Sequence, residues 1–465
     1  MPLEPQIIRR FADACGRQAI LTDQGECWAY GYDNSRQHAC PDLVVLPHRP
    51  GQIQECVQIC RQFSVPLTTR GRGTNTTGAT VPIHSGVILS TERMDRIIET
   101  DPPNRSMRTE PGVLNSAVQE RAAEDGLFWP PDPSSSDFCT VGGNLACNAA
   151  GPRAIKYGTC RENTLELRAV TGTGELIRTG NATTKGVVGF DLTRLLIGSE
   201  GSLAIITEAR LKLSPVAERT DTIRASYQDT KSALDAVVNI LSQNITPCAL
   251  EFIDEGSLNL IRNQKSMDLD TSTKAMLIIE IDGLEETVYA NVEAVLRFAN
   301  NTGCIDLRNA SEPRLKKELW LARKVLSQAL RTFAPNKINE DVVVPVSQLP
   351  ALLSGLESLS KKSSIPIFCF GHAGNGNLHI NLLYDKSNIE EATSARNCLV
   401  KVFDLVLSLN GTLSGEHGVG IAKRNWISRE IEPGTLDLMV KIKRLFDPDN
   451  ILNPGKTLPD TVSAD

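Results

Sequence analysis

The 465 residues hold no CxxC pair, no basic run long enough to track a phosphate backbone and no stretch of roughly 18 to 20 apolar residues. Each absence excludes something. Twelve scattered cysteines and no secretory pattern in MPLEPQIIRRFADACG predict reduced thiols in the cytoplasm, with neither a disulfide framework nor a CxxCxxCxxxCP cluster motif. Without an apolar span, any membrane contact is expected to be peripheral, at the inner face. With 49 basic against 55 acidic residues and a net charge of −6, nucleic acid is not an expected partner. HExxH is missing as well, and so is GxGxxG, which argues against a Rossmann unit and a nicotinamide cofactor.

What is present is concentrated late in the chain. Three of the six histidines fall in two short strings, GHAGNGNLH (371 to 379) and SGEHGVG (414 to 420). Two imidazoles, His372 and His379, and one carboxylate, Glu416, form a donor set that suits a divalent cation, Zn²⁺ first, with a place left open for a reacting ligand. The glycines between the histidines predict a bent backbone instead of helical i, i+4 presentation. His417, beside the carboxylate, is the candidate general base, because imidazole titrates nearest neutral pH.

The length predicts two or three domains and a buried cleft. From Asp42 the pattern is strand (LVVLP), amphipathic helix (about 50 to 64), strand ending in LTTR, loop GRGTNTTG, then strand GVILST. Cys56 and Cys60 share one face of that helix with Ile53, Val57 and Phe63, a packing pattern and not a metal site. A helix near 114 to 126, a turn-rich segment from 130 to 151 and strands at LELRAVT and LAIITEARLKL complete a first block ending near Pro215. Alternating and helical periodicities then predict a separate α+β domain, and a final segment carries the EHG string, a basic helix and FDPDNILNPGKTLP. The expected division is 1–215, 216–410 and 411–465, the last completing the active site and packing on the first. GRGTNTTG, TVGGNLACNAAG and GSEGSLAII each read as a backbone cradle whose small side chains (Ser134, Ser135, Thr140, Gly142, Gly143, Ala149) leave amides for one large diphosphate ligand.

LTTRGRGTNTTGA, PDPSSSDFCTVGGN, KYG and FDLTRLLIGSEGSLAIITEA resemble the FAD-binding domain of vanillyl-alcohol-oxidase-type flavoproteins. GHAGNGNLH, SGEHGVG and FDPDNILNPGK resemble the branch holding D-lactate dehydrogenases, D-2-hydroxyglutarate dehydrogenases and the flavin subunit of glycolate oxidase. The resemblance runs from about residue 40 to 458. It implies an α+β chain with a two-part FAD-binding domain of that type and an α+β substrate (cap) domain. It implies FAD contacts from Arg70, Gly71, Arg72, Gly73, Thr74, Asn75 and Gly78; from Pro130, Asp132, Ser136, Thr140, Gly142, Gly143, Asn148 and Gly151; from Tyr157 and Gly158; from Glu200, Gly201, Ile205 and Ile206; and from Asn453. Where some relatives tether flavin to a histidine, this chain reads Gly71-Arg72-Gly73, so non-covalent FAD is expected.

The implied activity is oxidation of a D-2-hydroxy acid, D-lactate first, by a metal-dependent FAD dehydrogenase. D-2-hydroxyglutarate is the near alternative and glycolate the next. For the substrate carboxylate the resemblance points to Arg323, beside Trp320 as an apolar wall, with Lys337 as the second candidate. Asn381, two residues beyond His379 and so on the same side of an extended strand, is a candidate to hydrogen-bond the carboxylate or the hydroxyl. Glycolate-oxidase subunits are expected to lack the lysine of KINED, which sets the chain nearer the other two members. The acceptor is a quinone, a cytochrome or an electron-transfer flavoprotein, and a homodimer is left open. Other classes are an alkyl-glycerone-phosphate-synthase-like transferase, a metallohydrolase without flavin, and a non-catalytic flavin subunit.

Overall fold

The computed structural model describes residues 3–262, 270–310 and 312–459; the last six positions of the expected C-terminal segment lie outside them. The chain divides into two compact units, one built from residues 1–150, 158–216 and 416–465, the other from 151–157 and 217–415. The short excursion at 151–157 had no signature in the residue pattern.

Among its described residues the first unit holds two main sheets, of four and five strands, besides a two-stranded pairing of Leu127–Phe128 with Ser214–Pro215. In the smaller, Leu43–Val45, Val87–Ser90 and Leu67–Arg70 pair in parallel, with Ile20–Leu21 antiparallel at the edge. Parallel neighbours need a crossover, and Pro50–Phe63 supplies it, opening on a proline where an N–H is dispensable and closing on Ser64 in the left-handed region. That helix buries Ile53, Cys56, Val57 and Cys60 in one core with Leu43, Val44, Val45, Leu67, Val87, Ile88 and Leu89 of these strands, as the amphipathic reading requires. Cys56 Sγ lies 3.4 Å from Cys15 Sγ. The larger sheet is antiparallel, in the order Ile97–Asp101, Ser106–Thr109, Ala204–Lys212, Thr164–Thr171, Leu176–Gly180. Its core closes around Trp129, fully buried, whose indole N–H donates to the Asn163 carbonyl at 3.0 Å.

The C-terminal tail returns to this unit. Leu67 N–H donates to Ile451 O (2.8 Å) and Asn453 N–H to Leu67 O (2.7 Å), so the tail runs along the edge of Leu67–Arg70.

The second unit carries, among its described residues, one seven-stranded antiparallel sheet, in the order Cys304–Ala310, Arg219–Tyr227, Ala275–Gly283, Ala249–Asp254, Ile367–His372, Asn377–Tyr384, Asn336–Val343. The helices Glu255–Ile261 and Pro313–Phe333 cover one face, burying Leu258, Ile261, Leu319, Ala322, Leu326 and Leu330 against Ile253, Met276, Ile278, Phe370 and Leu383. Among the described residues, no helix is long and apolar enough to cross a membrane.

One buried cation gives the first unit a testable pH signature. Lys456 Nζ donates to Asn453 Oδ1 and Thr68 Oγ1 in a buried setting; burial pulls its pKa down to about 7, while Asp33 and Glu200 pull the other way. The unfolded lysine keeps its ordinary value near about 10.4, so between these two pH values the unfolded chain holds the extra proton and this group's contribution to stability improves as pH rises. In urea unfolding from pH 7 to 9.5, the stability of wild type relative to Lys456→Met is expected to increase with pH; a constant difference would refute the shift.

Candidate active site

The two histidines of GHAGNGNLH sit on a hairpin. Ile367–His372 pairs antiparallel with Asn377–Tyr384, placing Phe370 opposite His379 and His372 opposite Asn377. Opposed residues share a face, and so do residues two apart, so both imidazoles project from one face of the sheet. The turn between them needs its glycines. Gly376 has φ +73°, and a Cβ there would lie 1.9 Å from the Val344 carbonyl oxygen. Gly371 has φ +153°, with the Asn377 carbonyl 2.8 Å from where its Cβ would be. The rings of His372 and His379 are 5.4 Å apart, edge to face, and both side chains are buried.

Glu416 joins them through the chain. Gly415, the last residue of the second unit, donates its N–H to Asp341 Oδ2 (2.8 Å), and Asp341 stands opposite His379 on the neighbouring strand. One ligand atom each from His372, His379 and Glu416 lies within 4.8 Å of the others. Ligand atoms around a tetrahedral Zn²⁺ sit roughly 3.4 Å apart, a spacing of the same order. The donor chemistry fits a divalent cation.

Behind the histidines lies a residue that the motifs do not contain. Glu251, on Ala249–Asp254, is wholly buried, and its carboxylate meets His372 Nδ1 at 2.5 Å and accepts from Arg323 Nε at 2.6 Å. Burial alone would push this carboxyl up; the facing charges of His372 and Arg323 outweigh it and hold the pKa at about 2. Glu251 is one step past the Phe252–Gly371 pair, so the sheet register aims it at His372.

Arg323 therefore projects from the helix Pro313–Phe333 toward the histidine face, its guanidinium 4.9 Å from the Phe370 ring centroid. Among the described residues neither of its Nη atoms donates to a protein group. Trp320, expected as an apolar wall, instead uses its indole N–H on Glu280 Oε1 at 2.7 Å, which pins the same helix to the sheet one turn earlier. Lys337 Nζ donates to the hydroxyl and carbonyl of Ser327, one turn beyond Arg323. Asn381 shares the histidine face, but it is fully buried, donates to the Phe368 and His379 carbonyls and accepts from Asn339 Nδ2. With its N–H groups so engaged it braces the strands.

In the first unit the three glycine-rich loops are not equivalent. Among the described residues, the backbone N–H groups of Gly71 through Thr76 donate to no protein acceptor, while the carbonyls of Thr74 and Asn75 accept from Asn34. The hydroxyls of Thr69 and Thr76 are buried without partners. A run of free amides beside orphaned hydroxyls fits an anionic diphosphate.

The other two loops correct the picture of three open cradles, because most of their amides are spent. Val141 and Gly142 donate to the carbonyls of Val113 and Pro111, Gly143 to Thr140 Oγ1, and Gly198 and Glu200 to those of Leu145 and Ala146. Side chains in this set are also committed. Arg70 is buried between Tyr30 and Tyr32, donating to Tyr32 O and Thr80 Oγ1. Asn148 Oδ1 accepts from Thr159 Oγ1 and Arg161 N, and Asn115 Nδ2 donates to Ser136 Oγ and Asp132 Oδ1. The Tyr157 hydroxyl donates to Asp282 at 2.7 Å within the second unit. Ile205 and Ile206 are core residues of the antiparallel sheet.

Two of the residues expected at the flavin hold the EHG segment. Asn75 Nδ2 donates to His417 O (3.0 Å), while its Oδ1 accepts from Thr77 and Ala79. Glu200, at φ +52°, accepts from the amides of Val419 (2.5 Å) and Gly420 (2.8 Å) and from Thr457 Oγ1 (3.0 Å). Burial pushes its carboxyl up against these bonds. Asn453 donates to the carbonyls of Ala79 and Glu200. A Cβ on Gly78 would lie 2.3 Å from Ile421, and one on Gly420 the same distance from Thr77 O, so the first loop and the segment after His417 interlock.

Residues 216–457 match a family model described as FAD linked oxidases, C-terminal domain, and residues 41–180 one described as FAD binding domain. The glycolate oxidase subunit GlcD of Bacillus subtilis (strain 168) is 37% identical over 428 residues, covering 92% of this chain and 91% of that protein. A D-lactate dehydrogenase of Anaerostipes hadrus is 32% identical over 464 residues, 97% of each. The higher of these identities falls to the glycolate oxidase subunit, which gives no support to placing the chain nearer the other members. Crystalline p-cresol methylhydroxylase with substrate bound matches with a TM-score of 0.79 over 98% of this chain and 96% of that one, at 17% identity, a likeness of fold: the vanillyl-alcohol-oxidase type.

Glu200→Ala strands two amides and a hydroxyl in a buried setting. At about 1–3 kcal/mol for an unsatisfied group, the variant is expected to unfold at clearly lower urea and to release FAD on gel filtration, and Glu200→Gln, which keeps an acceptor oxygen, should recover much of the loss.

Proposed function

We propose that this chain, an FAD-binding oxidoreductase that belongs to the FAD-linked oxidase family, oxidises a small D-2-hydroxy acid, D-lactate first, to its 2-oxo acid with the help of a divalent cation. The observation that carries this reading is the meeting of His372, His379 and Glu416 beside an arginine with spare donors.

FAD, which this chain would hold without a covalent bond, would supply the acceptor for the Cα hydrogen and its electron pair. His372, His379 and Glu416 would hold a divalent cation, and its charge would make a nearby hydroxyl more acidic, in the direction in which Zn²⁺ takes water from about 15.7 to about 7. The remaining work belongs to side chains. Arg323 receives the substrate carboxylate on its Nη pair, its Nε being occupied by Glu251, and the planar fork fixes the orientation of the acid. His417 takes the hydroxyl proton, its backbone fixed through the carbonyl that Asn75 holds. Lys337, bonded to Ser327 one turn beyond Arg323, is the candidate to meet a second, distal carboxylate. The electrons leave to a quinone, a cytochrome or an electron-transfer flavoprotein.

Glycolate is the second reading, favoured by the 37% identity to a protein named as a glycolate oxidase subunit; activity would then need partner subunits. The test is anaerobic bleaching of the flavin by D-lactate, L-lactate, glycolate and D-2-hydroxyglutarate, before and after chelation. D-lactate should bleach the isolated, metal-loaded chain, L-lactate should not, and chelation should abolish the reaction. Bleaching by L-lactate alone, or no loss on chelation, would overturn the proposal; bleaching by glycolate alone would favour the second reading. Arg323→Lys keeps a partner for Glu251 but loses the fork, and is expected to raise KM for D-lactate about tenfold or more with a smaller change in kcat, measured by dye reduction.

A further inference from the structure

We infer that Glu251 is a positioning residue serving two jobs at once: one carboxylate oxygen orients His372 for the metal, and the other orients Arg323 for the substrate carboxylate. The inference deepens the function proposed above and rests on it.

Glu251 sits with no solvent exposure on a central strand, Oε1 at 2.5 Å from His372 Nδ1 and Oε2 at 2.6 Å from Arg323 Nε. An acceptor on Nδ1 places the ring hydrogen there and leaves the Nε2 lone pair for an ion, the arrangement by which outer carboxylates fix a ligating imidazole. On the other side, a bond to Nε holds the guanidinium edge-on and leaves both Nη groups to a ligand. The strand fixes the geometry: its register sets Glu251 against His372, and Asp254, three residues on, caps the following helix at Ser257 N (2.8 Å) and accepts from Cys369 N of the histidine strand (2.6 Å).

A carboxylate with no solvent contact is a poor choice for stability alone, since a well-packed apolar replacement is often neutral or better. Its geometry explains its presence better. Neither a glutamine nor an aspartate reproduces it. A glutamine offers one acceptor oxygen and one NH₂, so it turns a donor toward either His372 or Arg323; an aspartate is one methylene short of reaching both.

The test is Zn²⁺ affinity of the FAD-loaded, metal-stripped protein, by competition with a chromogenic chelator. Glu251→Gln is expected to bind Zn²⁺ about 10- to 100-fold more weakly. Arg323→Lys, at a residue outside the proposed ligand set, should weaken Zn²⁺ binding about 2- to 30-fold through the shared carboxylate. Glu280→Gln alters a buried carboxylate on the same sheet that binds Trp320 and Thr222, and should leave the affinity within about twofold. Should Glu251→Gln fail to fold, Glu251→Asp takes its place with the same expectation. Unchanged affinity in a folded position-251 variant overturns the inference and leaves the proposed function standing, as does an equal loss in Glu280→Gln. A wild-type chain that takes up no Zn²⁺ overturns both.

Discussion

The site depends on the pairing register of two adjacent strands. Because Phe370 lies opposite His379, the imidazoles of His372 and His379 point the same way from neighbouring strands. A slip of one residue would send one of them through to the opposite face, where the sheet meets other helices. The close approaches at Gly371 and Gly376 exclude larger residues from the turn, so the glycines of the motif protect the register as much as they shape the loop. Asn381 contributes in the same sense, with an amide spent across three strands, on Asn339 and on the Phe368 and His379 carbonyls.

Much of this could be read from the residues. The parallel strands and their crossover helix announce themselves by periodicity and by the proline at the helix start, and the metal donors stand in two short strings whose spacing suits a hairpin. What the pattern could not disclose is long-range. Glu251 lies in CALEFIDEG, on a largely apolar strand whose other acid, Asp254, caps the next helix, more than a hundred residues before the histidine it touches, and nothing local distinguishes it from a surface carboxylate. Its signal was only negative: a charge on a strand otherwise too apolar to face water. The cradles show the opposite error. Glycine content predicts open amides, but only the hydrogen-bond partners decide, and in the second and third loops Val113, Pro111, Leu145 and Ala146 claim them.

Several of the residues expected to touch flavin also hold protein segments in place. Asn75, Glu200 and Asn453 bind the first loop, the third loop and the tail together, and they fix the backbone on which His417 stands. A motif shared with a cofactor-binding family therefore mixes groups that reach a ligand with groups that build the walls around it.

The division of the chain has a consequence for how the protein is made. The second unit is nearly continuous, 217–415 with only seven residues taken from earlier, whereas the first needs its final stretch, since Ile451 to Asn453 line the edge of Leu67–Arg70. On the ribosome the early strand emerges hundreds of residues before its edge partner, presenting unpaired peptide groups for the whole interval. The half begun first is thus the half finished last, and a nascent chain halted before residue 451 carries an open template for association with its neighbours.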